Sequence, residues 1–439
     1  MKFIALILTL VSINVFNAFA GQKPENLAPE NSVFYTQEAP QYTENPAYTI
    51  KHTGFIETIL SGHTSKATDS TNFHSTRIGR LNAGSVFEVS DFDANFKGVL
   101  DVSFGSNSYD DTSSLATINQ GYVELRNANS QPIQAKVRVG LQQSAATILA
   151  VNATTPMKYN QGVNANWVRF ISPPTLSSTG YNPIFFLQST TLTSQGFAAT
   201  QFLSDENYAQ PSPYWSYANA GINLTTDRYS GFKLGFSYQP TTNNFANPTK
   251  DFRGNSFTNQ QQMFMKNIKS VAVNYLDEWN GVSLNTTISG EFADIEKSST
   301  ATFERNNLAQ YSIGTNVSFA GLTLAGSYAN TGESLEIQND ANRTTIGDSY
   351  TADAGISYAF GSHQFSISHI KTSFMNNKMD ATILILNEDL SHAGRIKLTT
   401  LYELGFYKFS PASYQSSGTT TAINSLSGMF LSVGLRTSF

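Results

Sequence analysis

From Tyr48 onward polar and apolar side chains take turns along stretches of roughly ten residues. Lys233, Gly235 and Ser237 alternate with Phe232, Leu234, Phe236 and Tyr238. Thr323, Ala325 and Ser327 alternate with Leu322, Leu324, Gly326 and Tyr328. Ser283, Asn285, Thr287, Ser289 and Glu291 run against Val282, Leu284, Ile288 and Phe292, and Lys397, Thr399 and Glu403 against Ile396, Leu398, Tyr402 and Leu404. A period of two sends successive side chains to opposite faces of a sheet. Each stretch therefore predicts a β-strand with one polar and one apolar face. The breaks between stretches alternate in length: Trp279-Asn280, Ala320-Gly321 and Phe360-Gly361-Ser362 are tight, whereas 240–268, 293–308 and 331–349 are long. A transmembrane barrel has this rhythm of short turns at one rim and long loops at the other. The fold expected is all-β: an antiparallel transmembrane barrel of about 16–18 strands.

Composition strengthens that reading. Only 13% of the 439 residues are charged, about half the usual share of a soluble domain. The hydrophobic fraction is an ordinary 40%, and 30 Gly, 31 Phe and 20 Tyr help fill the gap. A barrel in lipid explains the deficit, because every second side chain faces hydrocarbon. The chain after residue 20 has no apolar run long enough for a helical span. A net charge of −5 argues against a nucleic-acid partner.

The first residues read as a signal for export. Met1-Lys2 is followed by an apolar stretch, Phe3 to Phe16, and by Ala18-Phe19-Ala20, an A-x-A cleavage pattern. Residues 1–20 are expected to be removed. Residues 21–47 carry Pro24, Pro29, Pro40 and Pro46 with four glutamates, which predicts a flexible acidic periplasmic extension. The barrel is expected over 48–439. There is no cysteine, so neither a disulfide nor a thiolate site is available.

Catalytic motifs are missing. There is no G-x-S-x-G, no H-E-x-x-H and no phosphate-binding glycine loop with its Lys and Ser/Thr. The six histidines are scattered. An enzyme is not expected, nor is a cofactor or a bound metal.

Several stretches resemble the general porins of Gram-negative bacteria, most closely their alphaproteobacterial branch. They are Arg77-Ile78-Gly79, Gln120 to Leu125, Lys136 to Gly140, Val168 to Pro173, Gly231 to Tyr238 and the last nine residues, in that order. The resemblance implies a homotrimer in the bacterial outer membrane and a water-filled pore narrowed by an inward-folded third external loop. It also implies delivery to the barrel-assembly machinery through the terminal Phe439, and passive diffusion of small hydrophilic solutes and ions. Leu431, Val433 and Leu435 alternate back from that Phe. Long loops rich in Asn, Thr and Ser also fit a surface adhesin or structural protein, and a substrate-selective channel is a further alternative.

Parity names the candidate pore residues. On one side of 133–143 stand Gln134, Lys136, Arg138, Gly140 and Gln142, with Ile133, Val137, Val139 and Leu141 on the other. Lys136 and Arg138 are thus expected inside, as are Glu124 and Arg126 on the preceding strand, and Arg77, Arg169 and Arg436. Strict alternation from Arg77 leaves Arg80 on the lipid side. The third loop, expected at 144–165, contains Lys158 and no acid. The whole span Leu125–Ser204 lacks Asp and Glu, although about six are expected at the chain's mean content. Lys and Arg concentrated at a constriction favour anions, so a weak anion preference is expected.

Overall fold

The structure, a computed structural model, describes residues 48–67, 70–90, 95–107, 114–126, 134–157, 162–163, 219–241, 264–296, 306–334, 349–374, 376–393, 396–411, 414–416, 419–421 and 425–438. The first six elements are β1 (Tyr48–Ala67), β2 (Ser70–Ser90), β3 (Asn95–Asn107), β4 (Ser114–Arg126), β5 (Ala135–Gln142) and a one-turn helix α1 (Ala145–Leu149). Next come β6 (Asn219–Thr226), β7 (Phe232–Thr241), β8 (Phe264–Trp279), β9 (Val282–Glu296), β10 (Leu308–Phe319) and β11 (Leu322–Gly332). The chain continues with β12 (Ser349–Phe360), β13 (His363–Phe374), β14 (Asn377–Ala393), β15 (Ile396–Ser410), β16 (Tyr414–Ser416), β17 (Thr419–Thr421) and β18 (Leu426–Ser438).

Neighbours along the chain pair antiparallel from β1 to β15, and β18 joins β15 to β1, closing a barrel of sixteen strands. The short β16 and β17 pair only with each other. Sixteen wall strands fall within the 16–18 expected, and the β16–β17 hairpin stands outside the wall.

Tight turns form one rim. Asn280-Gly281, Ala320-Gly321 and Ser230-Gly231 all have positive φ at both central positions. Such turns match the right-handed twist of the paired strands, and glycine is the residue that enters this region without strain. The opposite rim carries the longer connections, including 143–218, 242–263 and 333–348. Two of its eight connections, 68–69 and 375–376, are tight as well, so the long-loop rhythm is less regular than the sequence suggests.

The outward face is apolar. Leu60 is 57% exposed, and Leu125, Val139, Leu234, Ile288, Leu324 and Leu435 are also exposed on their strands. The apolar rows end in aromatics. Tyr311, T-shaped against Phe292, and Tyr328, stacked on Tyr350, mark the long-loop end. Phe232 with Tyr275, and Tyr358 with Phe360, mark the tight-turn end. From Tyr311 to Phe319 on β10 is roughly 27 Å along the strand at about 3.4 Å per residue. A tilt of about 40° reduces this to roughly 20 Å, close to the apolar band of a membrane barrel. Among the described residues no helix is long and apolar enough to cross a membrane, which says nothing of strands.

Candidate functional site

The inner face is built from the other half of each strand. Glu57, Glu124, Asn223, Ser237, Ser270, Glu291, Asp353, Ser368 and Glu403 are all buried. They alternate with the exposed apolar residues, as a period of two requires.

Across this face run residues 142–157 and 162–163, and successive residues meet successive strands. Asn223 on β6 donates to the Gln143 carbonyl at 2.7 Å. Ser237 on β7 and Ser270 on β8 accept from the Ala145 and Ala146 N–H groups, both at 3.1 Å. The Ser144 hydroxyl donates to Glu291 on β9 at 2.7 Å, and Thr287 of the same strand donates to the Leu149 carbonyl at 2.5 Å. Asp353 on β12 accepts from Ala153 N–H at 2.9 Å, and Gln364 on β13 donates to the Pro156 carbonyl at 2.6 Å. Ser368 of β13 accepts from Val163 N–H and Glu403 on β15 from Gly162 N–H, both at 3.1 Å. The described residues of this segment thus meet β6 to β9, β12, β13 and β15 through the buried polar row of each strand.

Ser144 caps α1, accepting from Thr147 N–H, as N-cap serines do. Glycines clear the path. A Cβ at Gly314 on β10 would overlap the Val151 carbonyl oxygen, and one at Gly355 on β12 would lie 2.5 Å from the Ala153 carbonyl oxygen. Farther along, Ala153, Met157 and Val163 join Ile59, Ile370, Met379, Ala381, Ile383, Tyr407, Phe409 and Phe430 in one buried apolar cluster. The inner face of β13 to β15 and β18 is therefore not uniformly polar, as strict alternation had implied. Its apolar side chains are covered by the segment, and each buried Val or Met stabilises by about 1.5–3 kcal/mol.

The basic residues gather on β4 and β5, away from this covered arc. Glu124 lies between two guanidiniums, accepting from Arg138 at 2.6 Å and Arg126 at 2.8 Å. Register places Glu124 opposite both Arg138 and Lys97 of β3. Arg138 also stands 4.9 Å from the centre of the Tyr122 ring. Lys136 pairs with Asp227 in the turn after β6. Lys233 of β7, on the same face, belongs to this group and was not singled out in the sequence. Its place in the polar set Lys233-Gly235-Ser237 was the available signal. At the seam between β18 and β1, Arg436 pairs with Glu57 at 3.5 Å and lies 3.7 Å from the centre of the Phe55 ring.

Expected placements meet three different fates. Glu124, Arg126, Lys136, Arg138 and Arg436 stand on inward rows. Arg77 lies on β2, whose side chains are outside the described residues; its backbone pairs with Leu60, and that of Arg80 with Glu57. Pairing with β1 sets this row. Alternation inside this strand is ambiguous, because Arg77 and Arg80 are three residues apart and so fall in opposite rows. Lys158, Arg169, Phe439, residues 1–20 and residues 21–47 lie outside the described residues, as does the stretch Val168–Pro173. The wall passes from β5 directly to β6 at Asn219.

Among the described residues no group of three His, Asp or Glu side chains could hold a metal ion. No protein-family profile matches the chain, and no curated protein sequence is detectably similar. Among solved structures, OprB of Pseudomonas putida aligns with a TM-score of 0.52 at 10% identity, over 89% of this chain and 94% of that one. An anion-selective porin from Comamonas acidovorans aligns with a TM-score of 0.49 at 16% identity, over 89% of this chain and all of that one. The outer-membrane channel DcaP of Acinetobacter baumannii gives 0.48 at 10% identity, over 91% and 99%. The chain shares the fold of OprB.

Proposed function

We propose that the protein is an outer-membrane porin, a water-filled pore for passive diffusion of small hydrophilic solutes and ions, with a weak preference for anions. The segment 144–165 acts as its inward-folded third loop and narrows the lumen. In this reading residues 1–20 direct export, residues 21–47 form a periplasmic extension, and three copies assemble in the membrane.

One observation carries the anion preference. Three inner-face carboxylates lie on strands away from the β4–β5 cations, and the loop covers them. Glu291, Asp353 and Glu403 are buried beneath it, bonded to its hydroxyl and N–H groups. The Arg126 side chain keeps 39% of its exposure and Arg138 20%, while the Glu124 between them keeps 1%. Among the described residues of β4 and β5, guanidinium is therefore more exposed than the carboxylate between them, although the chain's net charge is −5. A focused positive potential in a narrow passage enriches anions.

The test is reconstitution into a planar lipid bilayer. Stable single-channel steps are expected, with a zero-current potential under a KCl gradient on the anion side. A cation-side potential overturns the selectivity. A folded protein that gives no conductance overturns the channel itself and favours the adhesin reading.

A further inference from the structure

Three lysines stand on the outward face at the long-loop rim, directly above the apolar belt. Lys371 of β13 is opposite Asp380 of β14, which is opposite Lys408 of β15. Lys378 lies two residues further toward the rim on β14. All three lysines are exposed, and none of the four residues forms an ion pair among the described residues. The outward row next below them holds His369, Thr382 and the exposed Phe406.

Adjacent strands are about 4.8 Å apart and residues advance about 3.4 Å along a strand. The three Cα atoms therefore fall within roughly 10 Å of one another, the footprint of one phosphorylated headgroup. The platform is rigid, because the same three strands carry Ile370, Met379, Ala381, Tyr407 and Phe409 of the buried cluster on their inner face. The opposite rim has the opposite sign. There the outward strand charges among the described residues are Asp277 and Glu388, the latter 4.0 Å from His363.

We propose that Lys371, Lys378 and Lys408 form a docking site for a phosphate-bearing lipid headgroup in the leaflet on the long-loop side. The acyl chains of that lipid would lie along the apolar rows below the lysines. A lone ammonium at a membrane rim is nearly neutral energetically. Three around a single carboxylate leave a local excess of positive charge, and each basic residue near an anionic lipid surface contributes appreciably to attraction. The inference stands apart from conductance, since the patch is on the outside of the wall.

The test uses full-length protein in a zwitterionic detergent, titrated with bis-phosphorylated lipid A, with the same lipid enzymatically dephosphorylated, and with inorganic phosphate. Saturable binding is expected for the phosphorylated lipid alone. Lys371→Gln/Lys378→Gln/Lys408→Gln is expected to weaken it at least about tenfold, while the remote outward variant Lys269→Gln leaves it unchanged. Asp380→Asn removes the one repelling carboxylate and is expected to tighten binding. This variant tests the site even if the triple variant fails to fold. Equal affinity for the dephosphorylated lipid, an unweakened triple variant or no gain in Asp380→Asn would each overturn the proposal. Saturation by inorganic phosphate at the same concentrations would also overturn it, by showing that lipid is not required.

Discussion

The Glu403 carboxylate on β15 accepts a hydrogen bond from the Gly162 N–H at 3.1 Å, across 241 residues of chain. Its second oxygen accepts from Ser432 at 3.3 Å. One buried side chain thus ties the inner segment to two strands near the seam. Glu403→Ala leaves that N–H unsatisfied, at a cost of about 1–3 kcal/mol. Single-channel recordings of the variant should be noisier and larger in conductance than those of the parent. Glu403→Gln keeps an acceptor and should fall between them.

A side chain at Gly314 or Gly355 has nowhere to go except into the backbone of the segment. Gly314→Val should push 149–155 off the wall without breaking the barrel, because β-branched residues suit strands. Limited proteolysis should then cut within 149–157, where the parent resists. A variant as resistant as the parent would mean that the segment does not lie on Gly314.

Glu124 neutralises part of the charge that sets the proposed selectivity. Glu124→Gln releases both Arg126 and Arg138, and should move the zero-current potential further to the anion side. Arg138→Glu should move it the other way. Both shifts should shrink as salt rises from 0.1 to 1 M, where the screening length falls from about 10 Å to about 3 Å. No shift in either variant, or shifts in the reverse of these directions, would count against a role for this group in selectivity.

The pair Arg436–Glu57 bridges the closing strands and is almost wholly buried. Removing one partner of a buried pair typically costs about 3–5 kcal/mol, and removing both costs less. Arg436→Met should therefore lower the temperature at which the barrel unfolds on heated gels. The double variant Arg436→Met/Glu57→Leu should recover part of the loss.

How much of this was legible in advance depended on whether the signal was local. The alternation of Phe232 to Tyr238 and of Leu322 to Tyr328 predicted strands with one polar face. Trp279-Asn280 and Ala320-Gly321 predicted tight turns. The inward parity of Lys136 and Arg138 could be read because Val137 and Val139 flank them within a single strand. The absence of acids from Leu125 to Ser204 was equally plain.

Other features were not local. Absolute facing of Arg77 and Arg80 depends on which residue of β1 each one pairs with, and a one-residue slip exchanges them. The number of wall strands depends on closure, which β16 and β17 do not share. The sequence showed Glu291, Asp353 and Glu403 as isolated acids on separate strands. Only closure of the sheet brings them to a common surface, where Ser144, Ala153 and Gly162 bond to them. Chemical alternation therefore determined that this chain forms a barrel with a polar interior. Long-range pairing decided which residues meet inside it, because contacts across hundreds of residues leave no periodic trace in the sequence.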